Sequence, residues 1–492
     1  MTSPREILPP LAAAGQWWRA ASGVVLTGLI VFAPLNFGCT RAGGPEELAA
    51  GCLIATLLWV ASLVRGGPRN QVPPFAAGSV ALLVLAAIPW ISGLALPTSV
   101  SAFTQTHFAH VAARWPYSIV WRTPANTLVC TLALAAAVFP LIDLARTRGW
   151  ALTFSLALAG TAVAVGLLAL LQNYTHATGI YWRDDGRMPG NFCGTFYHHT
   201  AAGAYFNTAW PLAVALTWLA WLRPRAAAAF PALCLVGIGG VILLLAAHGS
   251  HVSRLPQVLA FAVAPFLLLS LRPRGPLRWY FGLAGIAAVV VLVAVAGRPA
   301  EIRGRWKLMW AEAPGAAPAA PPAESLWPAL IRDDLFIAYN SPAGRFGDRE
   351  ESWRTALRSI AARPLTGHGP GNWMGAASHH SEDPFVRTFF QFLQFTHQDL
   401  LQFAVEWGLP ATLGWWGLLV GAVLAVLRAP RWLSPLHRQL GIAAACGLAA
   451  VLLQAQVDFP LQMPAIAFNV VVLAALCWAG VGAPRPLPVP AS

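Results

Sequence analysis

The chain has 492 residues, 57% of them hydrophobic and only 10% charged, against roughly 25% charged in an ordinary soluble domain. Apolar runs long enough to cross ~30 Å of hydrocarbon recur along its length, which excludes a soluble globular fold. The formal charge of +13 does not imply nucleic acid, because the arginines gather in short loops between apolar runs, where they set orientation in a bilayer.

In chain order, the opening MTSPREILPPLAAAGQWWRAA has no cleavable signal pattern, so the first apolar run is expected to remain as a span. Twelve spans are expected, near 20–36, 47–64, 78–97, 126–145, 150–172, 200–221, 228–247, 255–271, 279–297, 409–427, 439–457 and 463–481. The fold class is therefore an all-α polytopic membrane protein with about 12 transmembrane helices. Of seven cysteines, Cys52, Cys130, Cys234, Cys446 and Cys477 fall inside apolar runs, where the thiol behaves as a small hydrophobe. Cys39 and Cys193 lie near span ends, and their pairing is left open. No CxxC or Cys/His ligand spacing occurs, so no zinc site, cofactor or redox role is expected.

The loops alternate in charge. One set, with the termini, carries fifteen arginines, among them Arg65, Arg146, Arg223, Arg272 and Arg428; the short loops of the other set carry six, including Arg41, Arg183 and Arg254. That asymmetry places both termini in the cytoplasm and the long loop outside. Three regions follow: residues 1–297 with about nine spans, a large extracytoplasmic loop at 298–408, and residues 409–492 with about three spans. The tryptophans Trp17, Trp18, Trp415, Trp416 and Trp432 fit an interfacial belt.

Within the loop, AEAPGAAPAAPPA at 311–323 reads as an extended linker. Asp348 and Glu351 then mark a helix start, and Trp353, Ala356, Leu357 and Ile360 share one face of a helix expected to lie at the outer membrane surface. Arg354 and Arg358 share another face, expected to be solvated. Pro364 ends this amphipathic helix, and Gly367-His368-Gly369-Pro370-Gly371 forms a tight turn. A second helix is expected from Phe385 through His397 to Glu406, broken by Gly408-Leu409-Pro410 before the tenth span. The adjacent pairs His198-His199 and His379-His380 point apart on a strand and about 100° apart on a helix, so neither alone makes a metal site.

The blocks GDREESW and RPLTGHGPGNW at 347–373, followed by THQDLLQFAVEWGLP at 396–410, resemble the signature of the O-antigen ligase/polymerase family. GSHVSR at 249–254, RMPGNFCGTFYHH at 187–199 and QVDFPLQMPA at 456–465 extend the likeness. It implies a C-type glycosyltransferase-like fold. It also implies metal-independent transfer of a glycan from an undecaprenyl-pyrophosphate donor to a glycan or lipid acceptor, in the bacterial cytoplasmic (inner) membrane with the active site facing the periplasm. The chain departs from the family pattern at His397-Gln398, where His-Asn is common, and at Gln454, where a histidine often precedes the aspartate.

Such a reaction needs fixed cations for the leaving diphosphate and a base for the incoming hydroxyl. Arginine stays charged and its planar fork matches phosphate oxygens; histidine titrates near working pH. Arg254 and Arg349 are the expected diphosphate ligands, with Arg345 near them, and His397 is the expected base. His199 is expected to line a substrate path, and Asp458, a carboxylate at a span end, to orient an arginine. A polymerase joining lipid-linked repeats shares these motifs. A transporter of a lipid-linked sugar would show inverted repeats and polar groups at mid-membrane instead.

Overall fold

A computed structural model describes residues 10–93, 122–183, 192–221, 230–250, 253–271, 347–381, 395–428 and 433–480. Thirteen α-helices lie among the described residues: α1 (Pro10–Leu35), α2 (Gly44–Val64), α3 (Pro74–Gly93), α4 (Arg122–Ala145), α5 (Arg148–Tyr174), α6 (His199–Trp221), α7 (Phe230–Ser250), α8 (Arg254–Leu271), α9 (Gly347–Ala362), α10 (Trp373–His380), α11 (Asp399–Leu427), α12 (Pro435–Gln454) and α13 (Pro464–Trp478). Seven segments are long and apolar enough to cross a membrane, on α1, α2, α4, α5, α7, α11 and α12; shorter apolar helices lie at Pro74–Trp90, Arg254–Leu268 and Pro464–Trp478. The protein is thus a polytopic helical membrane protein. Helices occupy the expected span positions except 279–297, which lies outside the described residues, as do the 311–323 linker and Arg345.

The bundle is built around α13. Its residues from Ala465 to Trp478 are all buried, and in the run AIAFNVVVLAALCW only Asn469 is polar, so nearly every side of it can pack on a neighbour. It packs on α12, α11, α4, α6 and α1. Around it α1 pairs with α2, α3 with α11, α6 with α12, and α7 with α5 and α6. Trp415 is 4% exposed, stacked on Phe403 at 6.2 Å. It belongs to this core rather than to the expected belt, whereas Trp17 is 79% exposed.

Because successive helices cross in opposite senses, the C-terminal ends of α1, α5, α7 and α12 share one bundle face with the N-terminal ends of α2, α6, α8, α11 and α13. The opposite face is tied by a carboxylate. Fully buried Asp143 on α4 accepts from Arg19 Nε on α1 at 2.8 Å, Trp59 Nε1 on α2 at 3.0 Å and the Asn70 backbone N–H, while its own carbonyl accepts from Asn70 Nδ2 at 2.8 Å. Four chain segments converge on one residue, and Arg19 has only 12% of its side chain exposed. Removing one member of a buried pair strands the other charge, so Asp143→Ala is expected to lose about 3–5 kcal/mol. A fall in thermal midpoint in detergent checks it. A double replacement of Arg19 and Asp143 by apolar residues of similar volume is expected to recover most of the loss.

On the other face a cap of α9, α10 and the 363–372 turn sits over α11. The turn is clasped by backbone bonds: Leu409 N–H donates to Pro364 O at 2.8 Å, His368 N–H to Val405 O at 2.7 Å, and Gly369 N–H to Glu406 O at 2.9 Å. Trp90 Nε1 of α3 donates to Thr366 O at 2.9 Å. One sequence expectation is corrected here, at the start of α11. The buried face of α9 is Ser352, Thr355, Ala356 and Ser359, while Leu357 is 57% exposed. The small side chains let α9 approach α10 and α11, where Ala356 packs with Trp373, Ala376, Ala377 and Val405. The second loop helix does not run through His397: α11 starts at Asp399 and continues to Leu427, kinked at Gly408, whose φ of 80° and ψ of 169° interrupt the helix.

Candidate functional site

The cap brings together residues that the sequence holds far apart. His397 precedes the α11 N-cap residue Gln398 and adopts φ 54°, a left-handed conformation uncommon for a residue with a Cβ. Its ring meets Phe459 edge-on at 5.0 Å. His198 meets the same Phe459 edge-on at 5.6 Å, and Phe395 stacks on it at 4.4 Å. Phe459 is therefore the hub on which segments 395–397, 198 and 458–459 converge. Next to it Asp458, 5% exposed, accepts from Gln454 Nε2 at 3.2 Å, and the same amide nitrogen donates to Thr200 O at 3.0 Å.

Arg349 joins this group from the first turn of α9. Burial lowers the His397 imidazole to about 4, with the positive charge of Arg349 and then His198 adding to the effect. Burial raises the Asp458 carboxyl above its usual range, opposed by hydrogen bonds from Gln454, the Phe459 backbone and Thr200 and by the charge of Arg349. One guanidinium thus acts on both a histidine and a carboxylate, and the three come from chain positions 349, 397 and 458. His199, half-buried, opens α6 beside Thr200. Arg254, half-buried, opens α8, which packs on α6 and α12 at the same bundle face.

Three buried polar atoms around the hub have no hydrogen-bond partner among the described residues: His397 Nδ1, Gln398 Oε1 and Gln454 Oε1. Buried polar atoms are nearly always satisfied, so an orphaned cluster is the expected signature of groups kept for a ligand. Two of the three belong to Gln398 and Gln454, the positions where this chain departs from the family pattern.

A stripe the sequence reading missed positions His397. Asp399, Gln402 and Glu406 are buried at i, i+3 and i+7 on one face of α11. Asp399 accepts from Leu461 N–H at 2.8 Å and Gln462 Nε2 at 2.9 Å, while its own N–H donates to Ala455 O at 2.9 Å. Gln402 Oε1 accepts from the Thr396 N–H at 3.1 Å, and its Nε2 donates to Glu406 Oε1 at 3.1 Å. Glu406 Oε2 accepts from Gly371 N–H at 2.9 Å. Asp399 therefore locks the start of α11 to the 455–462 segment that carries Asp458 and Phe459. The spacing of these polar letters inside an apolar run was the available signal.

His368 is structural. It is 3% exposed, its Nε2 lies 3.0 Å from Ser359 O, and burial lowers its imidazole to about 3. The His380 ring lies 5.0 Å from His368 and 4.7 Å from His379. Among the described residues no three His, Cys, Asp or Glu side chains are arranged to hold a metal ion. None of the seven cysteines is joined in a disulfide, Cys39 and Cys193 included.

Residues 239–416 match a protein-family model described as O-antigen ligase. The matched stretch takes in α8, the cap with Arg349, and His397. His198, His199 and Asp458 lie outside the O-antigen ligase match, and the fold carries His198 and Asp458 onto it. A comparison with curated proteins gives no match.

Proposed function

We propose that this face of the bundle transfers a glycan from a lipid pyrophosphate, of the undecaprenyl type, to a hydroxyl of a glycan or lipid acceptor such as lipid A core. The observation that carries the reading is one arginine, Arg349, acting on both His397 and Asp458 beside three orphaned buried polar atoms. In the reaction the acceptor oxygen forms a bond to the anomeric carbon, the carbon–oxygen bond to the diphosphate breaks, and the carrier leaves as its pyrophosphate. His397 takes the hydroxyl proton. Arg349 and Arg254 hold the diphosphate, Arg345 lies close in sequence to Arg349, His199 lines the path, and Asp458 orients Arg349. The arginine excess of the opposite loops supports a periplasmic site with both termini in the cytoplasm.

The lowered imidazole has a mechanistic consequence. With Arg349 unpaired by substrate, His397 is neutral but a weak base. A dianionic diphosphate seated on Arg349 cancels that cation's effect and raises the basicity of His397 when the acceptor must be deprotonated. Donor binding thereby strengthens the base, within the larger lowering that burial imposes.

Purified protein in lipid nanodiscs, supplied with lipid-pyrophosphate-linked oligosaccharide and lipid A core, tests the reading. Sugar on the lipid A core with release of carrier diphosphate is the expected result. Longer chains on the carrier without added acceptor would identify the polymerase reaction instead. Intact donor moved across the bilayer with no bond broken would overturn the transfer reading in favour of transport.

A further inference from the structure

Beside the transfer centre, on the same bundle face, lies an aromatic surface that the mechanism leaves unused. It forms where α1 and α5 end and α2 and α4 begin. Phe37 stacks on Tyr197 with ring centroids 5.7 Å apart and meets Tyr181 edge-on at 5.3 Å. The Arg41 guanidinium lies over the same ring, 3.4 Å from its centroid. Trp182 is 46% exposed and Tyr174 84% exposed at its margin. The rim is polar: Asn36 Nδ2 donates to Glu47 Oε2 at 3.0 Å and Asn126 Nδ2 to Glu46 Oε1 at 2.7 Å, both pairs exposed.

The backbone beneath this surface is unusual. Six residues other than glycine have positive φ among the described residues; one is His397, and the other five are Phe37, Cys39, His176, Tyr181 and Trp182. Left-handed conformations in residues with a Cβ cost energy and persist where the surrounding structure imposes them, commonly at binding sites. Here they are held by side-chain bonds: Tyr181 N–H donates to Gln172 Oε1 at 2.9 Å, Tyr181 OH to Leu35 O at 2.6 Å, and Trp182 Nε1 to Thr175 Oγ1 at 2.8 Å. An aromatic belt that only anchors a protein in lipid has no need of carboxylates paired with amides at its edge, nor of a strained backbone to aim its rings.

The surface is also continuous with the centre. Tyr197 stacks on Phe37, and its chain neighbour His198 lies against Phe459, the ring that His397 also meets. The exposed rings of Trp182 and Tyr174, at the margin of the buried Phe37 cluster and edged by carboxylates, amides and a guanidinium, match the chemistry of a sugar, whose ring has an apolar C–H face and an equatorial belt of hydroxyls. We propose that this surface is a glycan platform that holds the sugar units of the donor beyond the one undergoing transfer. The inference rests on the glycan-transfer reading above, and binding and transfer separate the two.

The probe is the oligosaccharide released by mild acid from the lipid-linked glycan of cells that make this protein, so that neither lipid nor diphosphate is present. Its binding to the full-length protein in nanodiscs is measured by calorimetry for the parent, Trp182→Ala, Trp182→Phe, Tyr197→Ala and His397→Asn proteins. The platform predicts at least tenfold weaker binding for Trp182→Ala and Tyr197→Ala, with Trp182→Phe and His397→Asn near the parent. It also predicts a raised donor KM with kcat little changed in Trp182→Ala. Absence of binding to the parent, or equal binding by parent, Trp182→Ala and Tyr197→Ala, would overturn the platform. Transfer by the parent in that case would leave the transfer centre standing.

Discussion

Replacing His397 by alanine or asparagine is expected to cut transfer by about 10²–10⁴-fold, the usual contribution of a positioned general base. The fold should survive, because His397 Nδ1 has no hydrogen-bond partner among the described residues to strand. What is lost is an edge contact with Phe459, worth roughly 0.5–1.5 kcal/mol. Asparagine is the cleaner test. It tolerates the left-handed φ of 54° yet takes no proton at working pH. Donor binding should persist in both variants, because Arg349 remains, so the fall should appear in kcat with KM nearly constant. A transfer assay following released carrier diphosphate, beside a thermal unfolding curve, separates loss of chemistry from loss of fold.

Gly408→Ala is expected to inactivate from the scaffold side. The φ of 80° and ψ of 169° at Gly408 fall in a region that is essentially reserved for glycine, at a cost of about 1–3 kcal/mol for other residues. Space is lacking as well: a Cβ there would run into the carbonyl of Leu365 and the nitrogen of Thr366. Gly367 makes the reciprocal approach, with φ 69° and the Glu406 carbonyl 2.6 Å from where its Cβ would lie. The kink in α11 and the 363–372 turn are thus two halves of one backbone clasp, and both halves need glycine. Forcing them apart loosens the cap from α11 and shifts Arg349 relative to His397. A displacement of about 1 Å at a transfer centre costs on the order of 10²-fold in rate. Activity should fall by that order, and amide exchange should quicken in α9 and α10 while α13 stays protected. Unchanged exchange in the cap with full activity would show that the clasp does not position the site.

Much of the candidate site was legible because its residues stand in local blocks. His397, Arg349 and Asp458 each stand in a distinctive polar run amid apolar sequence, and the fold brings the three together from positions 349, 397 and 458. The reason they meet was not legible. Asp399 is fixed by Leu461 and Gln462, and Glu406 by Gly371; these are bonds to distant backbone or amide groups, which leave no local pattern. The side of α9 that meets the protein was not legible for a related reason. A rule based on apolar residues selects Leu357, but close approach to Trp373, Ala376 and Ala377 favours the small Ser352, Thr355 and Ser359. The start of α11 was displaced because Gly408 and Pro410 read as a boundary between helices. Instead the chain kinks there and continues as one element to Leu427.

The most direct test of the central claim is the pH dependence of transfer by the purified protein, with kcat/KM and kcat measured separately from pH 3 to pH 8. In the free protein the His397 imidazole is pushed down to about 4, so the base stays neutral and competent down to that region. The account predicts that kcat/KM stays level through pH 6.5, where an ordinary histidine would lose activity, and declines only near pH 4. It predicts that the acid limb of kcat lies higher, because bound diphosphate offsets Arg349, and that Arg349→Met raises the limb of kcat/KM. An acid limb near 6.5 in both parameters, unmoved by Arg349→Met, would contradict the account.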